Sequence, residues 1–155
     1  MDKIIIRKAT AADLDTLFEF ERGIVTTERP FDDTLKEGEI HYYDLAAMIG
    51  AGDVQLLVAQ LGDEVVGSGY ARIENVKNYL KHAQHAYLGF MYVKPAFRGK
   101  GVNKMILDSL KSWCIERKIT EMRLEVYAEN VAAVKAYEKA GFKILLTWMR
   151  MGLNN

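Results

Sequence analysis

The chain has 155 residues, of which 50% are hydrophobic and 27% charged, and its formal net charge is zero. This size and composition predict one globular domain over residues 1–155. No apolar stretch approaches the roughly 20 residues that cross a bilayer, and no basic run indicates a nucleic-acid partner. The single cysteine, Cys114, excludes an internal disulfide. With no leader pattern at Met1, the expected location is the cytoplasm.

The charge is unevenly spread along the chain. Residues 1–53 carry 12 acidic and 6 basic side chains, and the remainder carries 9 and 15. One interpretation is a solvated surface. The other is that the basic part holds an anionic cofactor while the acidic part faces a cationic substrate.

The first half of the chain predicts a strand, two helices and a hairpin. Hydrophobic spacing and turn residues place them as a strand at 4–7, a helix at 13–23, a polar loop or broken turn of helix at 26–39, a helix at 41–49 and paired strands at 54–61 and 65–73. Gly62 and Asp63 form the turn of the hairpin.

The second half alternates strands and helices. The pattern predicts a central strand at 86–93, a helix at 103–118, a strand at 122–126, a helix at 130–140 and terminal strands at 142–146 and 148–151. Asn130 is the expected cap of the last helix, and Gly141 is its expected end. These elements predict an α/β fold with a mixed sheet.

A glycine-bearing turn joins the predicted strand at 86–93 to the following helix. Such a turn aims unpaired backbone N–H groups and the positive end of the helix dipole at one point, which suits a phosphate. Three cations, Arg98, Lys100 and Lys104, flank Gly99 and Gly101. The spacing matches neither a P-loop nor a dinucleotide-binding fingerprint. Taken alone it is also compatible with an ordinary turn.

A second pattern lies downstream. Asn130 and Tyr137 are two helical turns apart, so they project from similar sides of one helix. There the phenol could meet a ligand, or it could be a satisfied core tyrosine above a simple helix cap.

Together the two patterns resemble the GNAT superfamily of N-acetyltransferases over nearly the whole chain. The first half of the resemblance is Val93-Lys-Pro95 followed by Arg98-Gly-Lys-Gly101, and the second is Asn130, Ala133, Tyr137 and Gly141-Phe142. The resemblance implies a mostly antiparallel central sheet in which two parallel strands splay apart, flanked by helices. It also implies acetyl-CoA as co-substrate and no metal.

The resemblance further assigns cofactor contacts. Backbone groups of Met91, Tyr92 and Val93 would pair with the pantetheine arm like an added strand. Asn130 would contact the same arm. The amides that would wrap the pyrophosphate belong to Arg98, Gly99, Lys100, Gly101, Val102, Asn103 and Lys104. Position 103 departs from the glycine or alanine usual in the family.

The implied reaction is direct attack of an amine on the thioester. Tyr137 takes the position of the family's general acid, which protonates the leaving thiolate. Backbone N–H groups near Met91 would stabilise the oxyanion. Tyr87 stands where some members carry a glutamate base. Glu74 is therefore the first candidate base, followed by His85, Glu28 and an ordered water.

The acceptor remains open at the level of sequence. Acidic residues and aromatics between the first strand and the hairpin suit a cationic amine, whereas the loop at 77–82 suits a carboxylate-bearing acceptor. We predict an N-acetyltransferase for a primary amine of a small molecule or amino acid. The alternatives are an acyl-CoA sensor without turnover and an enzyme that acetylates protein N-termini or lysines. A homodimer is the hypothesis for assembly.

Overall fold

A computed structural model describes residues 3–154, so the expectation about Met1 and Asp2 lies outside the described residues. Its strands are β1 (Ile4–Lys8), β2 (Val54–Leu61), β3 (Glu64–Asn75), β4 (Gln84–Val93) and β5 (Met122–Arg123). Its α-helices are α1 (Leu14–Glu28), α2 (Leu45–Met48), α3 (Val102–Glu116) and α4 (Val131–Lys139). No helix in the described range is long and apolar enough to cross a membrane.

The five strands form one sheet in sequence order. Neighbours from β1 to β4 run antiparallel, whereas β4 and β5 run parallel, with Ala86 opposite Met122 and Tyr87 opposite Arg123. The predicted hairpin and the mixed sheet are therefore confirmed. The parallel pair is shorter than predicted, because β5 has two residues.

Helices cover both faces of the sheet. On one face, a buried cluster joins Leu17 and Phe20 of α1 to Leu45 of α2 and to Tyr70 and Phe90 of the sheet. On the other face, α3 packs closely. A Cβ on Gly69 would lie 2.8 Å from Ile106 Cγ2, so this strand position accepts only glycine without rearrangement.

Helix α1 runs five residues beyond the predicted end at Gly23. A Cβ at Gly23 would lie 2.7 Å from the ring of Tyr92, so this glycine makes room for a tyrosine of β4. Packing against Tyr92 explains this glycine, and the predicted end of the helix at residue 23 was wrong.

The predicted helix at 41–49 is also shorter than expected. It is reduced to α2, with Asp44 Oδ1 accepting from the Ala47 N–H at 3.2 Å as an N-cap. The preceding residues are irregular because Glu21, which is 1% exposed, holds them. Its carboxylate accepts from Tyr42 N–H at 2.9 Å and Tyr43 N–H at 3.0 Å, and it contacts His41 Nδ1 at 2.8 Å.

The chain divides after Glu125 into two compact units. The second consists of α4, which Asn130 caps and Gly141 follows, and of residues 142–154 without regular structure. The predicted terminal strands at 142–146 and 148–151 were therefore wrong. Apolar composition suggested them, but an apolar run forms a strand only where a neighbour pairs with its backbone, and residues 142–154 carry no strand.

Candidate active site

The entrance to α3 has the backbone expected of an anion cradle. Gly99 has φ +76° and Gly101, the N-cap of α3, has φ +81°. A Cβ at either position would meet open space, so the left-handed backbone, not crowding, favours glycine there. The first intrahelical bond runs from Met105 N–H to the Gly101 carbonyl at 3.1 Å. Helix geometry therefore leaves the N–H groups of Val102, Asn103 and Lys104 without intrahelical acceptors.

The three cations of the cradle have different local partners. Arg98 folds back, and its Nε donates to the Val93 carbonyl at 2.8 Å while its guanidinium lies 5.6 Å from the Tyr92 ring centroid. Lys104 pairs with Asp108 at 2.7 Å, and Lys100 Nζ lies 5.6 Å from the Phe97 ring centroid. Arg98 thus fastens the turn to the end of β4, and backbone amides form the rigid part of the cradle.

A β-bulge interrupts β4 just before the cradle. Phe90 and Met91 together oppose Gly69 of β3, because Ser68 pairs with Tyr92 and Tyr70 pairs with Gly89. Phe90 has φ +55°, which is uncommon for a large side chain. The buried Ser68 hydroxyl donates to the Phe90 carbonyl at 2.9 Å and holds the bulge.

Beyond Tyr87, β4 has a free side. Its pairing with β5 covers Ala86 and Tyr87, and β3 is the only strand that pairs with Leu88–Val93 among the described residues. An extended ligand can hydrogen-bond to such an edge as an added strand does. The predicted pantetheine contacts, Met91 to Val93, lie on this edge, and the Val93 carbonyl already accepts from Arg98.

Aromatic side chains cover the sheet face next to the bulge. The Tyr43 ring lies 4.9 Å from Phe90 and 5.9 Å from Tyr70, and Tyr70 lies 6.3 Å from Tyr87. Burial raises the pKa of Tyr43 and Tyr87 well above the ordinary phenol value. Both phenols are therefore neutral near pH 7, and Tyr87 is not suited to act as a base.

Glu74 is engaged by two neighbours at the far end of the same face. Its Oε2 accepts from Arg72 at 2.7 Å, and its Oε1 lies 3.3 Å from His85 Nε2. Since Glu74 pairs with His85, five residues from Phe90, about 17 Å of strand separate it from the bulge. Glu74 remains a prediction, and it would need a relay to act at the bulge.

Glu28 lies at the C-terminal end of α1 and is half-buried. Its pKa is raised, mainly by burial, although a hydrogen bond from Tyr42 opposes the shift. Its charge also acts on Tyr43, whose ring contacts Phe90. Of the predicted alternatives to Glu74, Glu28 is thus the carboxylate linked to the bulge through an aromatic neighbour.

The second unit contains the two downstream residues of the predicted site. The Asn130 side chain accepts from Ala133 N–H at 3.3 Å, as a helix cap does. Tyr137 lies on α4, and its ring meets Phe142 edge to face at 5.7 Å. Gly141, at φ +107°, turns the chain after the helix. Local structure around the predicted Asn130…Tyr137…Gly141 pattern is as expected.

Sequence reasoning missed Ser68, which holds the bulge, and Tyr70, whose ring contacts that of Tyr43, one of the aromatics predicted for the acceptor region. A signal for the first was present, because Gly67-Ser68-Gly69 within a strand pattern indicates close backbone approach. No comparable signal marks Tyr70, since aromatic residues in strands are ordinary.

Comparison with known proteins gives one consistent result. The family model described as "Acetyltransferase (GNAT) family" matches residues 18–142. An aminoglycoside N(6')-acetyltransferase type 1 of Stenotrophomonas maltophilia is 27% identical over 89% of this chain and 85% of its own. A streptothricin acetyltransferase of Escherichia coli is 30% identical over 56% of this chain and 45% of its own.

Solved structures share the fold at low sequence identity. A mutant form of the BH1408 protein of Bacillus halodurans has a TM-score of 0.86 at 17% identity, covering 97% of this chain and 99% of its own. A predicted acetyltransferase of Clostridium acetobutylicum, solved with acetyl-CoA, has a TM-score of 0.73 at 19% identity, covering 97% of both chains. The family model covers most of the chain and its acetyltransferase relative aligns over 89% of it, so the chain belongs to the GNAT family and is an N-acetyltransferase.

Proposed function

We propose that the protein transfers the acetyl group of acetyl-CoA to a primary amine of a small molecule. The observation that carries this proposal is the continuous path from the Phe90 bulge, along the free edge of β4, to the cradle at Gly101. A strand edge followed at once by free helical amides suits a ligand with an amide-bearing arm and a diphosphate. The C. acetobutylicum neighbour solved with acetyl-CoA supports this choice.

Backbone groups are proposed to make most of the contacts with the cofactor. The amides of residues 98–104 hold the pyrophosphate, and the free edge at Met91 to Val93 holds the pantetheine arm. Because the Val93 carbonyl accepts from Arg98, we assign the arm to the remaining backbone groups of this stretch. Asn130 is proposed as a further contact to the arm, by its match to the family pattern.

The proposed chemistry is one displacement. The neutral amine nitrogen attacks the thioester carbon, and the C–S bond breaks as the amide forms. A backbone N–H group of the bulge, near Met91, stabilises the oxyanion. The ammonium proton leaves to a base, and the Tyr137 hydroxyl supplies a proton to the coenzyme A thiolate.

We propose Glu28 as the base and keep Glu74 as its competitor. The raised pKa of Glu28 brings this carboxylate closer to the working pH, which favours proton acceptance from an ammonium. Glu74 is bonded to Arg72 and His85 and lies at the far end of β3.

The acceptor is proposed to be a cationic small molecule. Tyr43 and Tyr87, which are partly exposed, offer aromatic surface beside the bulge, and Glu28 offers a negative charge. The names of two relatives, which are aminoglycoside and streptothricin acetyltransferases, support amine-bearing antibiotics as the first panel to try.

Thiol release from acetyl-CoA across a panel of small amines tests the proposal. Tyr137→Phe should lower kcat by roughly 10²- to 10⁴-fold, the usual contribution of a general acid, with acetyl-CoA affinity unchanged. Tyr79→Phe is the matched control, because Tyr79 is a surface tyrosine that is 76% exposed. Equal turnover of Tyr137→Phe and wild type would remove Tyr137 from its role.

The same assay separates the two bases. Glu28→Gln should lower kcat/KM most above the pKa of Glu28, where the wild type carries the ionised base, and should abolish the acidic limb of the pH profile. Glu74→Gln should keep the acidic limb of the pH profile. If Glu74→Gln lost this limb and Glu28→Gln kept it, Glu74 would be the base. Tight acetyl-CoA binding without turnover on any amine would favour the sensor, and turnover on peptides alone would favour a protein acetyltransferase.

A further inference from the structure

Two histidines and a glutamate meet at the end of β4 that is remote from the cradle. His82 lies in the loop between β3 and β4, His85 lies in β4, and Glu121 immediately precedes β5. One ligand atom from each residue can be chosen so that all three lie within 4.8 Å of one another. His82 Nε2 is 3.6 Å from Glu121 Oε1.

Each histidine has a buried nitrogen without a hydrogen bond. Within residues 3–154, His82 Nε2 and His85 Nδ1 are closed to solvent and have no hydrogen-bond partner. Buried polar atoms are nearly always bonded, so a pair of unbonded nitrogens beside a carboxylate calls for an explanation. A cation between them supplies one.

A second carboxylate orients His85 for this purpose. Its Nε2 lies 3.3 Å from Glu74 Oε1, while Arg72 holds the other oxygen of Glu74 at 2.7 Å. When the Nε2–H donates to Glu74, the lone pair stays on Nδ1, the nitrogen without a partner. A carboxylate behind a ligating histidine is the usual second layer of a metal site.

The carboxylate of Glu121 also has a partner outside the three proposed ligands, because its Oε1 accepts a hydrogen bond from Arg123 Nε at 2.5 Å. Arg123 Nε and a cation would share this carboxylate. Arg123 therefore weakens the site, and its removal should strengthen it.

We propose that His82, His85 and Glu121 bind one divalent ion of the zinc class and so fasten the β3–β4 loop to β5. Two imidazoles and one carboxylate suit zinc and its neighbours better than magnesium or calcium. Three protein ligands leave a fourth position for water. The proposal departs from the absence of a metal that the family resemblance implied.

The proposed metal site lies apart from the bulge at which acetyl transfer is proposed, and Glu74, the competing base, is the residue that links the two by its contact with His85. Met91 follows His85 by six positions along β4, which is about 20 Å of extended chain. Metal binding is measured directly, so it can fail while acetyl transfer stands, or stand while acetyl transfer fails.

Titration of the chelator-treated full chain with ZnCl₂ by calorimetry is the first test. We expect one saturable site, and His82→Ala or His85→Ala should lower its affinity at least tenfold. His41→Ala is the matched control, because the nitrogens of His41 already contact Glu21 at 2.8 Å and Glu39 at 3.4 Å. Glu74→Gln should lower the zinc affinity 10- to 100-fold, and Arg123→Met should raise it.

A second test needs no variant and so survives a failure to fold. Zn²⁺ should slow the modification of His82 by diethyl pyrocarbonate, read by peptide mass spectrometry, while His41, whose side chain is 54% exposed, reacts as before. Absence of saturable binding by the wild type, equal losses in the His41 variant, or equal protection of all three histidines would overturn the proposal.

Discussion

Single side chains tie irregular segments to the fold, and Asp13 is the clearest case. Its carboxylate accepts from Arg7 at 2.8 and 2.9 Å and from the Thr10 N–H at 2.7 Å, so it links β1 to the start of α1. The hydrogen bond from Arg7 is the main cause that lowers its pKa, while burial opposes the shift. The ionised form is therefore favoured by folding.

We expect Asp13→Asn to destabilise the protein by about 1.5–3 kcal/mol at pH 7, the usual range for hydrogen bonds to a charged group. Because the pKa of Asp13 is lower in the folded state, its contribution is present above the unfolded pKa and is lost as pH falls through the folded pKa. Urea unfolding at several pH values checks this. A difference between variant and wild type that stays constant from pH 7 down through the titration of Asp13 would contradict it.

Two adjoining elements, β4 and α3, prepare the proposed cofactor site. The bulge interrupts the pairing of β4 with β3 at Phe90 and Met91, pairing resumes at Tyr92 and Val93, and two left-handed glycines then turn the chain into α3. Sequence reasoning reached the second feature, because Gly-x-Gly after an apolar run signals such a turn. It missed the bulge, because the left-handed residue is a phenylalanine, a type that rarely adopts this conformation.

Gly101→Ala should lower acetyl-CoA affinity at least several-fold, because an alanine resists φ +81° and shifts the first amides of α3. Gly50→Ala is a matched control. Gly50 has the same φ of +81° and open space around its Cα, but it lies outside the cradle. Calorimetry with acetyl-CoA and thermal unfolding compare the two.

Gly101→Ala and Gly50→Ala should lower the thermal stability by similar amounts, and only Gly101→Ala should lower the affinity for acetyl-CoA. Equal affinity in Gly101→Ala and wild type would show that the cradle does not hold the cofactor.

At the scale of the whole molecule, the sheet, the hairpin and the glycine turn before α3 could be predicted because their signals are local. The alternation of apolar and polar residues, the turn residues and the glycine spacing all involve residues that are close together in the sequence. The end of α1 and the lengths of α2 and β5 could not, because they depend on Tyr92, Glu21 and strand partners distant in sequence. The prediction of two terminal strands was wrong for the same reason, because apolar residues alone do not specify which strand would pair with them.

The chemical candidates divide in the same way. The cradle residues follow from spacing, and Tyr137 follows from a family pattern. The choice of Glu28 over Glu74 as the proposed base could not be predicted, because the burial that raises the pKa of Glu28 arises only when distant elements pack. The pairing of His82 with Glu121 needs the fold as well, since 39 positions separate them in the chain.

The charge asymmetry of the whole chain gives a further prediction. The proposed cofactor is an anion, and Arg98, Lys100 and Lys104 are exposed beside the cradle, so acetyl-CoA affinity should fall several-fold between roughly 50 mM and 500 mM NaCl. Acetyl-pantetheine, which lacks the phosphates, is the control, and its weaker affinity should be insensitive to salt. Calorimetry with acetyl-CoA and with acetyl-pantetheine at both NaCl concentrations measures these affinities. Equal salt responses of the two ligands would contradict an electrostatic cradle.

The attachment of residues 41–43 to Glu21 has a consequence for how this enzyme could diversify. The Glu21 carboxylate and ring contacts to Tyr70 and Phe90 hold the stretch that carries Tyr43, whereas the strand edge and helix entrance proposed for the coenzyme belong to the sheet and to α3. Exchange of residues 30–43 between homologues that keep this glutamate should alter which amines react and leave the donor unchanged. New acceptor specificities can then evolve through changes confined to residues 30–43.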